Sequence, residues 1–406
     1  MHPRLQRLVR ALRSARAVVL LVPIAVALPA WAGERIAIVS GSEWAAQAAR
    51  AKPGDQVVLM PGIHRPAVLE GLHGTKDAPI VVTSSASDLL AEIAADPTAL
   101  RLVDCSHVRL ERIVVRDAPG AAIAIEAGPA GGCRDVAIDS LLVVHGPHAP
   151  KPKEGGSGDR TGANQSRGVV VRDAEGVSID RSRIDGAHDA GILIERARRV
   201  TLRDLQVVST RSRELRVGIE VGEAAEEVEI LRTSVAARAG SAFAIGPTAA
   251  AADGAPPIRP ARGIRIHDSN VHECDRALEL GACLEVSIER LSARNPAMEF
   301  IRLAPVADDA RDVRLAACAF VWEPGRLKRL VAGVPPADPS GVRLGDNLWF
   351  SRELPLALPL LGPAENPWHL RIDRPQRTDL DPRLNDRGMS ENPAAAAYGR
   401  IAPPRN

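Results

Sequence analysis

Hydrophobic and polar positions repeat most clearly between Arg167 and Glu214, where one pattern is written twice. The first copy, GVVVRDAEGVSIDRSRIDGAHD, starts at Gly168; the second, GILIERARRVTLRDLQVVSTRS, starts at Gly191, 23 residues later. Each copy holds a Gly-Val/Ile-x-Val/Ile strand, a short polar corner, a second strand (Val-Ser-Ile or Val-Thr-Leu) and a third strand ending at Ile184 or Val207. Strands this short cannot bury a face alone, so the unit must stack on copies of itself. Three alternating strands per period, with no helical periodicity, predict an all-β solenoid of the parallel β-helix type.

The pattern extends on both sides of this stretch. Between Ala99 and Phe320 eight coils are predicted, with first strands beginning near Ala99, Ala122, Gly168, Gly191, Gly218, Ala242, Ala277 and Phe300. Their second strands begin at Val108, Val136, Val177, Val200, Val228, Ile264, Val286 and Val313. Alternation places Ile192 and Ile194 inward and Leu193 and Glu195 outward. Upstream, SEWAAQAAR (Ser42 to Arg50) predicts a short helix with Ser42 as N-cap and Trp44 and Ala48 on one face, suited to covering the open edge of the first coil. Two segments break the period. His145 to Ser166 inserts a Gly-, Pro- and Lys-rich stretch before a first strand, and Gly246 to Ala261 follows a first strand and is poor in functional groups.

The N-terminus changes the charge argument. Arg4, Arg7, Arg10, Arg13 and Arg16 precede an apolar run from Ala17 to Leu28, and Ala30-Trp31-Ala32 fits a signal-peptidase site. The run is too short to span a bilayer as a mature helix. Residues 1–32 therefore read as a signal peptide, 33–98 as an N-terminal cap with the first strands, 99–320 as the coils, and 321–406 as a C-terminal cap and tail. The expected location is secreted or periplasmic, with no transmembrane segment in the mature chain. The whole chain carries a formal charge of +2; without the leader's five arginines it is −3, which removes the main support for a nucleic-acid partner. Export also places Cys105 and Cys133 in oxidising surroundings. Each lies three residues before its coil's second strand, so they share a corner of adjacent coils, and a disulfide between them is expected.

The run AAQAARAKPGDQVVLMPGIHR, followed by GTKDAPIVV, resembles the N-terminal cap of secreted pectate-lyase-like β-helix proteins, the alginate and chondroitin lyases most of all. The resemblance spans roughly Ser42 to Thr83 and implies a right-handed parallel β-helix with a short N-terminal capping helix. In that family, enzymes acting on acidic sugars lay the substrate across the first-strand face. Ala187-His188-Asp189-Ala190 before Gly191-Ile192-Leu193-Ile194 is partly similar to the catalytic strand entrance of polygalacturonases, although one Asp stands where a pair is expected and Leu215-Arg216-Val217 replaces a Gly-His-Gly. His188-Asp189 is also similar to part of a mannuronan epimerase motif. The Ca²⁺-binding Asn and paired Glu of the alginate and chondroitin lyases do not occur in their usual order.

Candidate chemistry therefore gathers on the coils starting at Gly168, Gly191 and Gly218. His188 and Asp189 stand at a strand entrance as acid or base. Arg172, Glu195 and Glu220 supply an outward charged column with Glu126. Lys151, Lys153, Arg160 and Asn164, in the long insertion, and Arg216 could hold substrate carboxylates. The same column also reads as a plain ladder of cross-strand ion pairs, with Arg172 between Glu126 and Glu195. His145 and His148 read as loop surface, no metal site is written, and no cofactor is required, with Ca²⁺ left open. Two functions follow. One is an exported carbohydrate-active protein acting on an acidic, uronate-containing polysaccharide, with lyase ahead of hydrolase and C5-epimerase; the other is a non-catalytic β-helix that binds glycan or protein.

Overall fold

The computed structural model describes residues 33–38, 43–85, 91–94, 96–145, 166–209, 215–248, 257–305, 310–323, 327, 329–333, 341–351 and 371–372. These residues form a right-handed parallel β-helix. Each coil gives one strand in turn to three sheets in which every described pairing is parallel. The first-strand sheet holds ten described strands, from Ala67–Glu70 to Arg329–Gly333. The second-strand sheet holds thirteen, from Arg35–Ile38 to Arg371–Ile372, and the third-strand sheet eleven, from Gly62–His64 to Leu348–Ser351. All eight expected first strands are present, and the stack continues on both sides of them.

The register explains the repeat. Val169, Ile192, Ile219 and Phe243 are neighbours in successive coils, as are Val171, Ile194, Val221 and Ile245. All of these are buried in one continuous core. Full burial of each such side chain contributes about 1.5–3 kcal/mol. The corner between second and third strands is turned by a single residue in the left-handed region, including Arg181, Asp204, Arg232, Asp268 and Arg290 (φ 46–56°). The following side chain can return inward: Ser182 Oγ, for example, accepts the Leu141 amide of the preceding coil at 3.1 Å.

The glycine that opens the repeated first strands has a steric cause. A Cβ at Gly191 would lie 2.3 Å from Val207 Cγ1, and one at Gly218 2.2 Å from Val235 Cγ1, because these positions face inward against the third strand. Toward the C-terminal coils the interior is packed differently. Phe300 occupies the equivalent place and packs on Phe320, Trp322 and Trp349, with ring centroids 5.2, 5.8 and 6.0 Å away.

Three expectations are corrected. The helix is a single turn, Ala45–Ala48, capped at Trp44 without a side-chain bond. Ser42, its expected cap, lies outside the described residues. Trp44 and Ala48 are buried as expected, and Trp44 Nε1 donates to the Arg65 carbonyl at 2.9 Å. Cys105 and Cys133 do share a corner, the Cys105 amide donating to Cys133 Sγ at 3.3 Å, but all five cysteines are free thiols. Their S–H groups turn to backbone carbonyls instead, Cys105 to Leu69 and Cys133 to Leu102. His145, expected on a loop surface, is buried at the end of a third strand.

Candidate functional site on the first-strand sheet

Outward positions on the first-strand sheet fall into three rows running from coil to coil. The first holds Arg167, Ala190, Val217, Ser241, Arg276, Glu299 and Arg329. The second holds Val170, Leu193, Glu220, Ala244, Glu279 and Arg302. The third holds Arg172 and Glu195, with Glu126 one residue beyond the Ile125–Val171 pair of the preceding coil. Glu220 thus stands in register with Leu193 and not with Glu195, because it comes three residues into its strand while Glu195 comes five into the preceding one. The expected single column is two columns.

The third row breaks into separate pairs. Arg172 Nε donates to Glu195 Oε2 at 2.7 Å, while Glu126 takes Arg101 at 2.8 Å. In the second row Val170, Leu193 and Ala124 form a buried apolar cluster with Ala190 on the outer side of the sheet. The predicted polar groove therefore has an apolar section before Glu220.

Asp189 is the most constrained predicted residue. Its backbone sits just before the strand Ala190–Glu195, where its amide donates to Ser166 O at 3.0 Å. Its carboxylate accepts Arg167 Nε at 2.7 Å and Arg216 Nε at 2.6 Å, one on each oxygen, and is 11% exposed. Burial pushes its pKa up; the Arg216 and Arg167 guanidiniums outweigh that and hold it below the ordinary Asp value. Arg216 in turn donates to Glu220 Oε2 at 2.6 Å. Burial works against its charge, but Glu220 and Asp189 raise its pKa further above the usual arginine value. Its side chain remains 48% exposed, and with Nε and one amino group engaged it retains donors for an incoming anion. His188 is exposed beside this network, and its side chain makes no hydrogen bond or ion pair among the described residues. The structure brings together His188, Asp189, Arg216 and Glu220, and leaves Arg172–Glu195 a row away. Lys151, Lys153, Arg160, Asn164 and His148 lie outside the described residues.

Sequence reasoning missed two things. The first is Arg167, which completes the Asp189 pairing; its signal was a charged residue directly before the small residue that opens a first strand, as also at Arg276. The second is a further charged group later on the same face. Ser241 Oγ donates to Glu279 Oε2 at 2.6 Å, and Arg276 Nε donates to Glu299 Oε1 at 3.0 Å. Arg302 approaches Glu299 and Glu279 only to 3.6 and 3.9 Å and makes no hydrogen bond among the described residues. Its guanidinium, 39% exposed, is open to a ligand.

No family model matches the chain, and no curated protein does. Solved structures do. An alginate lyase from Paenibacillus sp. str. FPU-7 aligns with a TM-score of 0.52 at 12% identity over 74% of this chain and 98% of its own. A GH136 lacto-N-biosidase from Eubacterium ramulus aligns at 0.54, with 14% identity, over 79% of this chain and 64% of its own. The PL6 family alginate lyase AlyGC aligns at 0.50, with 13% identity, over 92% of this chain and 58% of its own. These likenesses establish the parallel β-helix fold. Among the described residues no helix is long and apolar enough to cross a membrane.

Proposed function

We propose that this chain is an exported carbohydrate-active β-helix whose first-strand sheet takes an acidic, uronate-containing polysaccharide, with β-elimination as the reaction. The observation that carries this reading is the pair of partly exposed guanidiniums, Arg216 and Arg302, on one face that also presents His188, exposed and unpaired among the described residues. A uronate carboxylate held by Arg216 has part of its charge neutralised, which acidifies the C5 proton and stabilises the developing enolate. A base then takes that proton while the C4–O4 bond breaks, its electron pair leaving with the oxygen, which is reprotonated. His188 is assigned as the base because it is exposed and unpaired. Asp189 is assigned to positioning: a carboxylate held ionised by two guanidiniums is a poor proton acceptor, but it fixes the orientation of Arg216. Arg172, Glu195 and Glu220 are assigned to the walls of the binding face, with Lys151, Lys153, Arg160 and Asn164 as further contacts from the inserted segment. Ca²⁺ is included as a variable of the test.

A second reading has its own observation. Asp189, Glu195 and Glu220 are each engaged by an arginine, the state expected of a face that binds glycan without cleaving it. The experiment is the 235 nm absorbance of unsaturated uronates over alginate, pectate and glycosaminoglycans, with and without Ca²⁺, alongside a reducing-end assay and direct binding. Elimination predicts a rise on at least one polymer, lost in His188→Ala and weakened in Arg172→Ala but retained in Arg203→Ala on the second-strand sheet. Binding without new ends or unsaturation selects the second reading, and no binding at all removes both.

A further inference from the structure

The second-strand sheet carries a different electrostatic pattern, independent of the face just described. Through its middle coils, outward neighbours are matched in sign. Glu175 lies beside Arg198, Arg198 beside Glu226, Asp180 beside Arg203 and Glu226 beside Arg262. Arg203 donates to Asp180 at 2.6 Å, and Arg262 to Glu285 at 2.6 Å. In one column the matching stops beyond the Glu229–Arg265 neighbours. The column that contains Glu229 continues as Arg265, Ser287, Arg314 and Arg343, with Arg371 next in register.

Like charges on directly opposed strand positions are destabilising. The acidic run Glu111, Asp139 and Asp180 on this sheet is relieved by Arg181 and Arg203, whereas among the described residues Arg314 and Arg343, also neighbours, have between them only Asp312 at 3.9 Å. Arg265 and Arg314 are exposed and make no hydrogen bond or ion pair among the described residues. Arg343 approaches Asp312 only at 3.9 Å, and among the described residues its buried Nε has no hydrogen-bond partner. Arg311, in register with Leu284 one column away, is exposed as well. An external anion with charges repeated along the coil direction would relieve the local repulsion. Arg265 and Arg314 are two strand steps apart, about 9.6 Å, and Arg343 lies about 4.8 Å further.

We propose that this arginine column is a second polyanion-binding surface, which takes the carboxylate or sulfate groups of a linear acidic polysaccharide lying along the solenoid. Guanidiniums suit both groups through paired N–H donors. A single-stranded nucleic acid is disfavoured because the column contains no aromatic side chain on which a base could stack. An anionic membrane is disfavoured because the column, Arg and Ser throughout, has no apolar side chain to insert. The proposal stands apart from the first-strand reading and does not require catalysis.

The test uses the full chain and measures retention by alginate (carboxylate), dextran sulfate (sulfate) and neutral dextran in affinity electrophoresis. Single-stranded DNA and phosphatidylglycerol vesicles serve as competing ligands. The double variant Arg265→Gln/Arg314→Gln is expected to bind its preferred acidic polymer about 10-fold more weakly at low salt, with the difference closing at high salt as screening removes it. Arg183→Gln, on the third-strand sheet, is expected to bind like wild type. The thermal midpoint of the double variant should be unchanged or slightly raised, since repulsion has been removed; a fall would show that these arginines serve the fold. Any of four results overturns the proposal: equal binding by the double variant, equal loss in the Arg183 control, no binding of either acidic polymer by wild type, or stronger binding of DNA or vesicles. Loss of binding only in Arg216→Ala or Arg302→Ala assigns the polymer to the first-strand face instead.

Discussion

Replacing Asp189 by Asn keeps shape and volume and removes one charge, so it isolates what the carboxylate does. Each Asp189 oxygen accepts a guanidinium Nε–H, at 2.6 Å from Arg216 and 2.7 Å from Arg167. An amide retains one acceptor and turns an N–H₂ donor toward the other guanidinium. One charge-assisted hydrogen bond is lost, worth about 1.5–3 kcal/mol. Breaking a fully buried pair costs about 3–5 kcal/mol, but Arg216 is half exposed and keeps Glu220, which tempers the loss. The expected destabilisation is about 2–3 kcal/mol at pH 7.

The pH dependence follows from the lowered pKa of Asp189. A depressed carboxylate stabilises the fold above its unfolded pKa of about 3.9 and loses that contribution as pH falls through the lower folded value. The gap between wild type and Asp189→Asn should be full at pH 7, shrink once pH passes below about 5, and close at more acid pH. Urea unfolding followed by far-ultraviolet circular dichroism at pH 7, 5 and 3 measures it. Whole curves are compared, because a stack of repeats need not unfold in one step. No gap at pH 7, or a gap of the same size at pH 3, would refute the assignment of a stabilising ionised carboxylate.

Three further outcomes are expected. Gly218→Val places a side chain where a Cβ alone would lie 2.2 Å from Val235 Cγ1 and 2.6 Å from the Ala242 carbonyl, and should destabilise by about 3 kcal/mol in the same unfolding assay. Arg302→Ala should weaken uronate binding about 5- to 10-fold with folding intact, since among the described residues its guanidinium makes no hydrogen bond and only the long ion pairs to Glu299 and Glu279 would be lost, as measured by titration with defined oligouronides. Burial holds the Cys274, Cys283 and Cys318 thiols up at about 12, so a thiol reagent should find them unreactive in the folded protein and count five thiols after unfolding without reductant; a count of three would restore the Cys105–Cys133 bond.

The repeat was legible from the order of apolar and polar residues alone. Inward columns need an apolar residue at every second strand position, and a side chain at Gly191 or Gly218 would collide with the third strand, so the period, the coil starts and the inward assignment of Ile192 and Ile194 are written residue by residue. The identity of His188, Asp189 and Arg216 as neighbours was legible for the same reason: coils of regular length bring residues one period apart side by side. What the chain could not announce was which charges cancel. Whether Glu220 aligns with Glu195 or Leu193 depends on a shift of two residues in strand start, which moves a side chain from one outward row to another. That Asp189 is held by Arg167 as well as Arg216, that Arg302 comes no nearer than 3.9 Å to Glu279, and that Arg265, Arg314 and Arg343 share one column all depend on contacts between residues more than 20 positions apart. Apolar periodicity is a local property, set by the strand's own alternation. Electrostatic pairing is decided only when the coils are stacked in register, and the chemistry of this protein rests on that pairing.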